Sequence, residues 1–351
     1  MSSLTAAFLI LLAFQSTPRP AGVCPRPPCA TGELPPAPPA SRLRRGPFES
    51  RDEFLLAQPQ LTLPAVSPDA LPRGQTRVRF AGDWGNDFGY KTGRIERANR
   101  VLFFVDGEHR SAALQVDHGL PARWTVYARL PVLWRGGGVL DGLIDTWHRI
   151  TGLPDNNRPK FPRDQLQVTG LDPALRPIHW TAAQGSGLGG RELGTRWSSP
   201  SRTAGWTAAL DGRVQLPTGT GGFDGGGVQL GAQALAARTL GGAGDVYLGL
   251  GATAVARTAE DGLRYASPRP QGFLAFEWRP WSAVSLLAQL NGAGRLVSDV
   301  EGFPGFHLAL RMGARVDVAR GWRLEGGFTE GLKPVDATTD FGILLGLERT
   351  F

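Results

Sequence analysis

The sequence predicts an all-β protein: a transmembrane antiparallel β-barrel of about 12 strands with one short amphipathic helix inserted. Three observations predict it. After about residue 75, apolar and polar residues alternate in segments of about ten residues, almost to the end of the chain. Several of these segments carry a tryptophan at one end, and the last segment stops on an aromatic residue, Phe351.

The first residues predict export. Leu4 to Phe14 form an apolar run that is too short for a transmembrane helix, which needs about 20 residues, and is typical of a secretory signal peptide. We therefore assign residues 1–22 to a signal peptide. Cys24 and Cys29 follow it, and two cysteines at this spacing predict either a small disulfide loop or a lipidated Cys24.

The remaining domain boundaries follow from composition. Residues 23–45 are rich in proline, which predicts an extended periplasmic linker. We assign residues 46–351 to an outer-membrane β-barrel domain, with the barrel strands at about 76–351. The lead-in to those strands has apolar patches but no long period.

The strands are predicted from period-2 alternation. In residues 124–134, Trp124, Val126 and Leu130 share one face, opposite Thr125 and Arg129. Twelve segments of this kind lie at 77–84, 100–106, 110–118, 124–134, 205–216, 228–239, 244–256, 270–279, 282–293, 305–318, 322–330 and 339–351. Weaker segments at 165–170 and 191–199 would raise the count.

A soluble β-sandwich also alternates, so other features must decide between the two folds. Aromatic residues lie at strand ends, where the interfacial girdles of a membrane barrel would be. The apolar faces often hold alanine beside leucine and valine, which lipid tolerates and a tightly packed core disfavours. The opposite faces hold Arg, Asp, Gln, Thr and Gly. These features favour the membrane barrel.

One stretch follows a helical period instead. Leu140, Ile144 and Trp147 recur at helical spacing, and Gly152 with the following proline stops the helix. On a barrel this helix would lie at the membrane interface or pack at the barrel mouth. An ordinary loop helix that covers its own apolar patch is the alternative.

The polar faces supply candidate lumen charges. These are Arg77, Arg79, Arg129, Arg213, Arg311, Arg315, Arg323, Asp211, Glu277, Asp317 and Glu325. Either they pair across the lumen as a structural network, or the arginines bias a pore toward anions.

Few residues point to catalysis or cofactors. No two of the five histidines have metal-ligand spacing, and the glycine-rich stretches lack the ending of a phosphate loop. We therefore predict no cofactor, no metal and no enzyme. A lipid-acting hydrolase would have to use His118 or His148 with Asp117, Asp141 or Asp145. The net charge of +7 comes from scattered arginines, so no nucleic-acid partner is expected.

The final segment, "FGILLGLERTF", looks like the terminal strand by which the assembly machinery recognises Gram-negative outer-membrane barrels. Its candidate signal residues are Phe341, Leu345, Leu347 and Phe351. Residues 46–351 also resemble an uncharacterised family of bacterial outer-membrane proteins with a domain of unknown function, most distinctively in "LPVLWRGGGVLDGLIDTWHRITGLPDNNRP" (130–159). The resemblance implies a barrel in the outer membrane, and no activity.

These observations predict an outer-membrane barrel that acts as a passive channel for small polar or anionic solutes. The alternatives are a structural or assembly-related barrel with a plugged lumen and, less favoured, the lipid-acting enzyme. The expected partners are outer-membrane lipid, the barrel-assembly machinery and small solutes.

Overall fold

The structure is a computed structural model that describes residues 44–95, 98–152, 158–180, 184–200, 205–241, 243–256, 259–260, 262–332 and 338–351. The predicted signal peptide, Cys24, Cys29 and the linker up to residue 43 lie outside the described residues.

The described chain is mostly strand. The strands are β1 (Thr76–Ile95), β2 (Ala98–Gly119), β3 (Trp124–Gly136), β4 (Gln167–Leu171), β5 (Pro177–His179), β6 (Gly185–Leu188), β7 (Arg191–Ser198), β8 (Trp206–Leu216), β9 (Gln229–Thr239), β10 (Gly244–Val255), β11 (Ala259–Glu260), β12 (Leu263–Arg264), β13 (Arg269–Trp281), β14 (Val284–Gly294), β15 (Phe306–Ala319), β16 (Trp322–Gly331) and β17 (Thr339–Thr350). One α-helix, α1 (Asp141–Thr151), and two short 3-10 turns (Pro121–Arg123, Arg158–Lys160) complete the described elements.

Twelve of these strands form a closed antiparallel barrel, which confirms the predicted fold class. The ring runs from β1 to β3, then through β7–β10 and β13–β17, and each strand pairs with its neighbour in the ring. β17 returns to pair with β1, with Phe80 opposite Leu347 and Trp84 opposite Ile343. Closure leaves this ring without an unpaired edge, as a bilayer requires.

The predicted count was reached with two differences in detail. The segments at 100–106 and 110–118 form one strand, β2, and the weaker segment at 191–199 is the barrel strand β7. β2 continues through Glu108 and His109 because both polar side chains are bonded there, Glu108 to Trp84 and to two backbone amides, and His109 to two aspartates. The weaker segment at 165–170 overlaps β4, which pairs with the far end of β2 outside the ring.

The two ends of the barrel differ. At one end the connections are short, as at 240–243, 282–283 and 320–321, and we call it the turn end. The carboxyl-terminal Phe351 also lies there, hydrogen-bonded to Thr76. At the other end, the loop end, longer connections such as 217–228 and 295–305 join the strands.

Alternation gives each strand two faces. Outward residues are apolar and open to the surroundings: Phe80 is 56%, Leu250 71% and Leu345 63% exposed. Their neighbours on the inner face are polar and buried, as with Arg79 beside Phe80. This is the pattern of a barrel that faces lipid outside and polar groups inside.

Helix α1 lies against the outer face near the loop end. Leu140 and Ile144 are buried and form a cluster with Phe341, packed by Trp84 and Ile343 of that face. The helix ends where Gly152 adopts a left-handed conformation (φ 73°) and donates its N–H to the His148 carbonyl. Among the described residues, no helix is both long and apolar enough to cross a membrane.

Candidate functional site: the barrel lumen

The residues before β1 occupy the lumen. Residues 44–74, which we call the lumenal hairpin, start at the turn end, where Arg44 bonds Asp69 and Thr207 of β8. They reach the loop end at a turn in which the amides of Ala57 and Gln58 donate to the Phe54 carbonyl. They then return to the turn end.

The returning arm is held by glutamine side chains of the barrel wall. Gln229 Oε1 accepts the Leu61 N–H at 2.7 Å, and Gln271 Oε1 accepts the Leu63 N–H at 2.8 Å. Gln215 donates to the Pro59 carbonyl at 2.8 Å. Because a buried backbone amide or carbonyl needs a partner, these glutamines replace a neighbouring strand.

The outgoing arm is held by charged side chains of the wall. The Glu277 carboxylate accepts the N–H groups of Arg45 and Gly46 at 3.2–3.3 Å. Arg315 donates to the Gly46 carbonyl at 2.9 Å, and Arg311 donates to the Arg51 carbonyl. Charged groups make stronger hydrogen bonds to backbone than neutral groups do.

Ion pairs also join the hairpin to the wall. Arg51 Nη2 lies 2.6 Å from Glu192 Oε2, and Glu49 Oε1 lies 2.8 Å from Arg77 Nη2. Asp52 accepts from Arg269 and lies 2.8 Å from His307 Nε2. The hairpin therefore contributes charges of both signs, and Arg51, Glu49 and Asp52 each meet an opposite charge on the wall.

Apolar side chains of the hairpin are buried in clusters at different heights. At the loop end Phe54, Leu55 and Leu56 pack with Phe103 of β2 and with a larger set of apolar residues, Val105, Leu263, Tyr265, Leu296, Val297, Val300 and Phe303. Val66 packs in a second, separate cluster. Glycines leave room for the hairpin: a Cβ on Gly231 would lie 2.9 Å from Leu63 Cδ2.

A cavity of about 430 Å³ adjoins the hairpin at the turn end, beside residues 70–73, and the cavities farther inside the barrel are small. One cavity of about 20 Å³ lies between Asp52, Leu63 and Gln271, and another of about 20 Å³ lies between Glu49, Glu53 and the wall. Each is large enough for a water molecule and too small for an organic solute.

The structure places the predicted lumen charges on the inner face, in contact with one another or with the hairpin. Arg129 and Arg213 both lie near Glu192, at 2.8 and 3.9 Å, and Arg213 also pairs with Asp211 at 2.6 Å. Glu325 joins Arg79 to Arg315.

The two predicted charges nearest the turn end, Asp317 and Arg323, pair at 2.9 Å. Asp317 also accepts a hydrogen bond from Arg45 at 2.7 Å. Arg323 in turn lies 3.2 Å from Glu348. Arg45 of the hairpin therefore takes part in the ion pairs at the turn end.

Sequence reasoning missed the residues of the hairpin and their glutamine partners. The signal was the apolar run "FLLAQPQLTLPAV" (54–66) within an otherwise proline-rich lead-in. A second signal was that glutamines recur at positions whose side chains point inward, as Gln229 and Gln233 of β9 do. Neither signal identifies its partner, because Leu61 and Gln229 are 168 residues apart.

The candidate assembly residues lie on the outer face. Leu345 is 63% and Phe351 68% exposed, and Leu347 is half-buried. Phe341 is buried because α1 covers it. The terminal ring also lies 5.2 Å from the Arg349 guanidinium.

The candidate hydrolase residues do not meet. His118 Nδ1 lies 3.0 Å from Thr76 Oγ1 at the turn end, while Asp117 points inward to Arg77. His148, Asp141 and Asp145 lie on α1 at the opposite end. Among the described residues neither histidine has a serine hydroxyl as a hydrogen-bond partner.

Comparison with known families decides the relationship. Residues 36–351 match the family described as "Protein of unknown function (DUF3187)". The chain belongs to the DUF3187 family. A search of curated protein sequences finds no relative of this DUF3187 chain.

Solved outer-membrane proteins resemble this chain to different degrees. An outer-membrane channel, COG4313 from Pseudomonas putida F1, is 14% identical and superposes with a TM-score of 0.54 over 81% of this chain and 97% of its own. The KdgM porin gives a TM-score of 0.41 at 6% identity, over 78% of this chain and 99% of its own. The first likeness shows that the DUF3187 fold is that of an outer-membrane channel barrel.

Proposed function

We propose that this protein is an outer-membrane channel for small polar solutes, with a preference for anions, and that the lumenal hairpin closes its pore. The turn end would face the periplasm, since the chain enters the barrel there. The outer face would contact outer-membrane lipid. The barrel-assembly machinery would insert the protein into that membrane.

One observation carries the proposal. Residues 44–73 make no backbone-to-backbone hydrogen bond with any described strand. The wall holds them through side chains instead, and the ring of strands is complete without them. If the hairpin moved out of the lumen, the backbone hydrogen bonds between the barrel strands would remain. The vacated lumen would be lined by Gln, Arg, Asp and Glu, which water solvates readily.

The anion preference rests on the arginines that bind hairpin carbonyls. Arg196 donates to the Ser67 carbonyl at 3.0 Å, Arg311 to that of Arg51, and Arg315 to that of Gly46. A carbonyl carries no net charge, so its departure removes no counter-ion, although Arg196 and Arg315 keep their wall carboxylates, Asp211 and Glu325. Arg311 has no carboxylate within ion-pair distance among the described residues, which makes it the strongest candidate.

A permanently plugged barrel is the second candidate function. It is favoured by the loop-end cluster around Leu55 and Leu56, which are 0% and 1% exposed. Moving these side chains into water costs about 1.5–3 kcal/mol each. A segment fixed in this way would serve the barrel's stability instead of its permeability.

The two functions differ in the conductance of the intact protein. We would reconstitute the full chain and a variant that lacks residues 44–72 in planar bilayers and record single-channel currents. The proposal expects brief openings of the full chain and a stable, larger, anion-preferring conductance of the variant. A full chain that never opens, beside a variant that conducts, would favour the plugged barrel.

The channel proposal fails if the shortened variant is folded and still closed. Folding is checked by the change in gel mobility on heating that membrane barrels show. If the deletion prevents folding, the double variant R51A/D52A weakens the hairpin's ion pairs while keeping its length, and should raise the open fraction of the full chain.

A further inference from the structure

A buried polar cluster lies beneath α1, on the outer face of the barrel and away from the lumen. His148 of α1 meets Glu330, near the end of β16, and Asp340, near the start of β17. One ring nitrogen and one oxygen from each carboxylate all lie within 4.8 Å of one another. Three elements thus bring metal-binding side chains to one point.

His148 lacks the partners that a buried imidazole normally has. The residue is 4% exposed, yet neither Nδ1 nor Nε2 has a hydrogen-bond partner among the described residues. Its Nε2 points toward Glu330 Oε1 at 3.9 Å, and Glu330 Oε2 is likewise buried without a partner there. Because buried polar atoms are nearly always bonded, this cluster has room for a missing ligand.

The charge of the surroundings identifies the kind of ligand. Arg158 contacts three carboxylates. It donates a hydrogen bond to Asp141, and it lies 3.4 Å from Asp340 and 3.8 Å from Asp106. Glu330 adds a fourth carboxylate. Among the described residues one guanidinium thus faces four buried carboxyl groups, and a bound cation would stabilise their ionised forms.

We propose that His148, Glu330 and Asp340 bind a divalent transition-metal ion of the zinc class, which fastens α1 to the barrel wall. Zinc accepts one imidazole nitrogen and carboxylate oxygens at about 2.0–2.2 Å, with a water molecule in the fourth position of a tetrahedron. Calcium requires about 6–8 oxygen ligands and does not suit an imidazole. The three side chains would have to move closer together to reach these distances.

The arrangement links elements that the backbone leaves separate. His148 is on the inserted helix, whereas both carboxylates are on neighbouring barrel strands, so the ion would bridge the two. Metal binding would therefore stabilise the docked position of the helix, because an ion that binds only this form shifts the equilibrium toward it.

The test is zinc binding by the full, folded protein in detergent after treatment with a chelator. Calorimetric titration with zinc chloride should show one ion bound per chain. Zinc should also raise the temperature at which α1 is undocked in half of the molecules. Calcium chloride should give neither effect. H148Q and E330Q should each lower zinc affinity by at least about tenfold. H118Q, a matched change at the turn end, should leave it unchanged.

Absence of stoichiometric zinc binding by the folded wild-type protein overturns the proposal. Unchanged affinity in folded H148Q and E330Q overturns it equally. If H148Q does not fold, E330Q and the visible absorption of the cobalt-substituted wild-type protein decide. A cobalt absorption spectrum that shows no nitrogen ligand would reject the site.

Discussion

The lumen and the patch of outer face beneath α1 both bury charged residues, but they neutralise them differently. In the lumen most charges meet an opposite charge: Glu192 alone is approached by Arg51, Arg129 and Arg213. Beneath α1 the carboxylates outnumber the single guanidinium of Arg158. The same strands therefore carry a balanced face and an unbalanced patch.

Under the two proposals above, the difference separates a pore that the hairpin closes from a site that attaches α1. Part of the lumen's balance comes from a segment that shares no backbone ladder with the wall, so the balance can be opened by moving that segment. The patch beneath α1 has no such segment among the described residues, and a small cation would complete it. The two proposals therefore assign movement to the region with paired charges and attachment to the region with excess carboxyl groups.

The largest effect is expected on the lipid-facing side, at the carboxyl end. F351D should leave export intact and prevent most of the protein from inserting, if the terminal aromatic is the assembly signal. Heat-dependent gel mobility and membrane fractionation measure insertion. W281D is the matched control, because Trp281 is an equally exposed aromatic (64%) at the same end. Normal insertion of F351D would reduce Phe351 to one more lipid-facing residue.

The next effect is in the lumen. E192A removes the carboxylate that three guanidinium groups share and should lower the free energy of unfolding by about 3–5 kcal/mol, because unpaired buried charge is left behind. Urea unfolding in detergent micelles measures it.

The matched change is R163A, which removes an exposed ion pair with Asp145 at the loop end. Surface pairs contribute only about 0–1 kcal/mol, so R163A should alter the unfolding free energy very little. Equal losses in E192A and R163A would contradict the view that the lumenal network is a buried one.

A change of similar or smaller size tests the docking of α1. I144A removes a fully buried side chain packed near Phe341 and should destabilise the docked helix by about 2–5 kcal/mol. L143A, at a neighbouring position that is 49% exposed, should have little effect. Protease susceptibility of the 137–165 connection reports docking. Equal susceptibility of both variants would argue against outer-face packing.

The smallest effect concerns selectivity. In the variant lacking residues 44–72, R311Q removes one cation that no described carboxylate neutralises, and should shift the reversal potential toward cations in a salt gradient. R238Q, on the outer face, should leave the reversal potential unchanged. A shift in R238Q alone, or in neither variant, would remove lumen arginines as the source of anion preference.

The sequence predicted the barrel better than its contents. Period-2 alternation identified the inner face, including Arg79 and Asp211, because side chains on a strand must alternate. The lumenal hairpin has no period, since its conformation is set by wall residues far away in the chain rather than by its neighbours. His148 appeared as a polar position on a helix, and only the folded chain shows that it faces Glu330 and Asp340.

The most direct test of the central claim fixes the hairpin to the wall. Ser50 Oγ accepts from Gln289 Nε2 at 3.0 Å, so S50C/Q289C, made in a chain with Cys24 and Cys29 changed to serine, can be bridged by a short cleavable bis-thiol reagent. We predict that the bridged protein is silent in bilayers and that cleavage restores openings. Equal conductance of the bridged and cleaved forms would contradict the claim that the hairpin closes the pore.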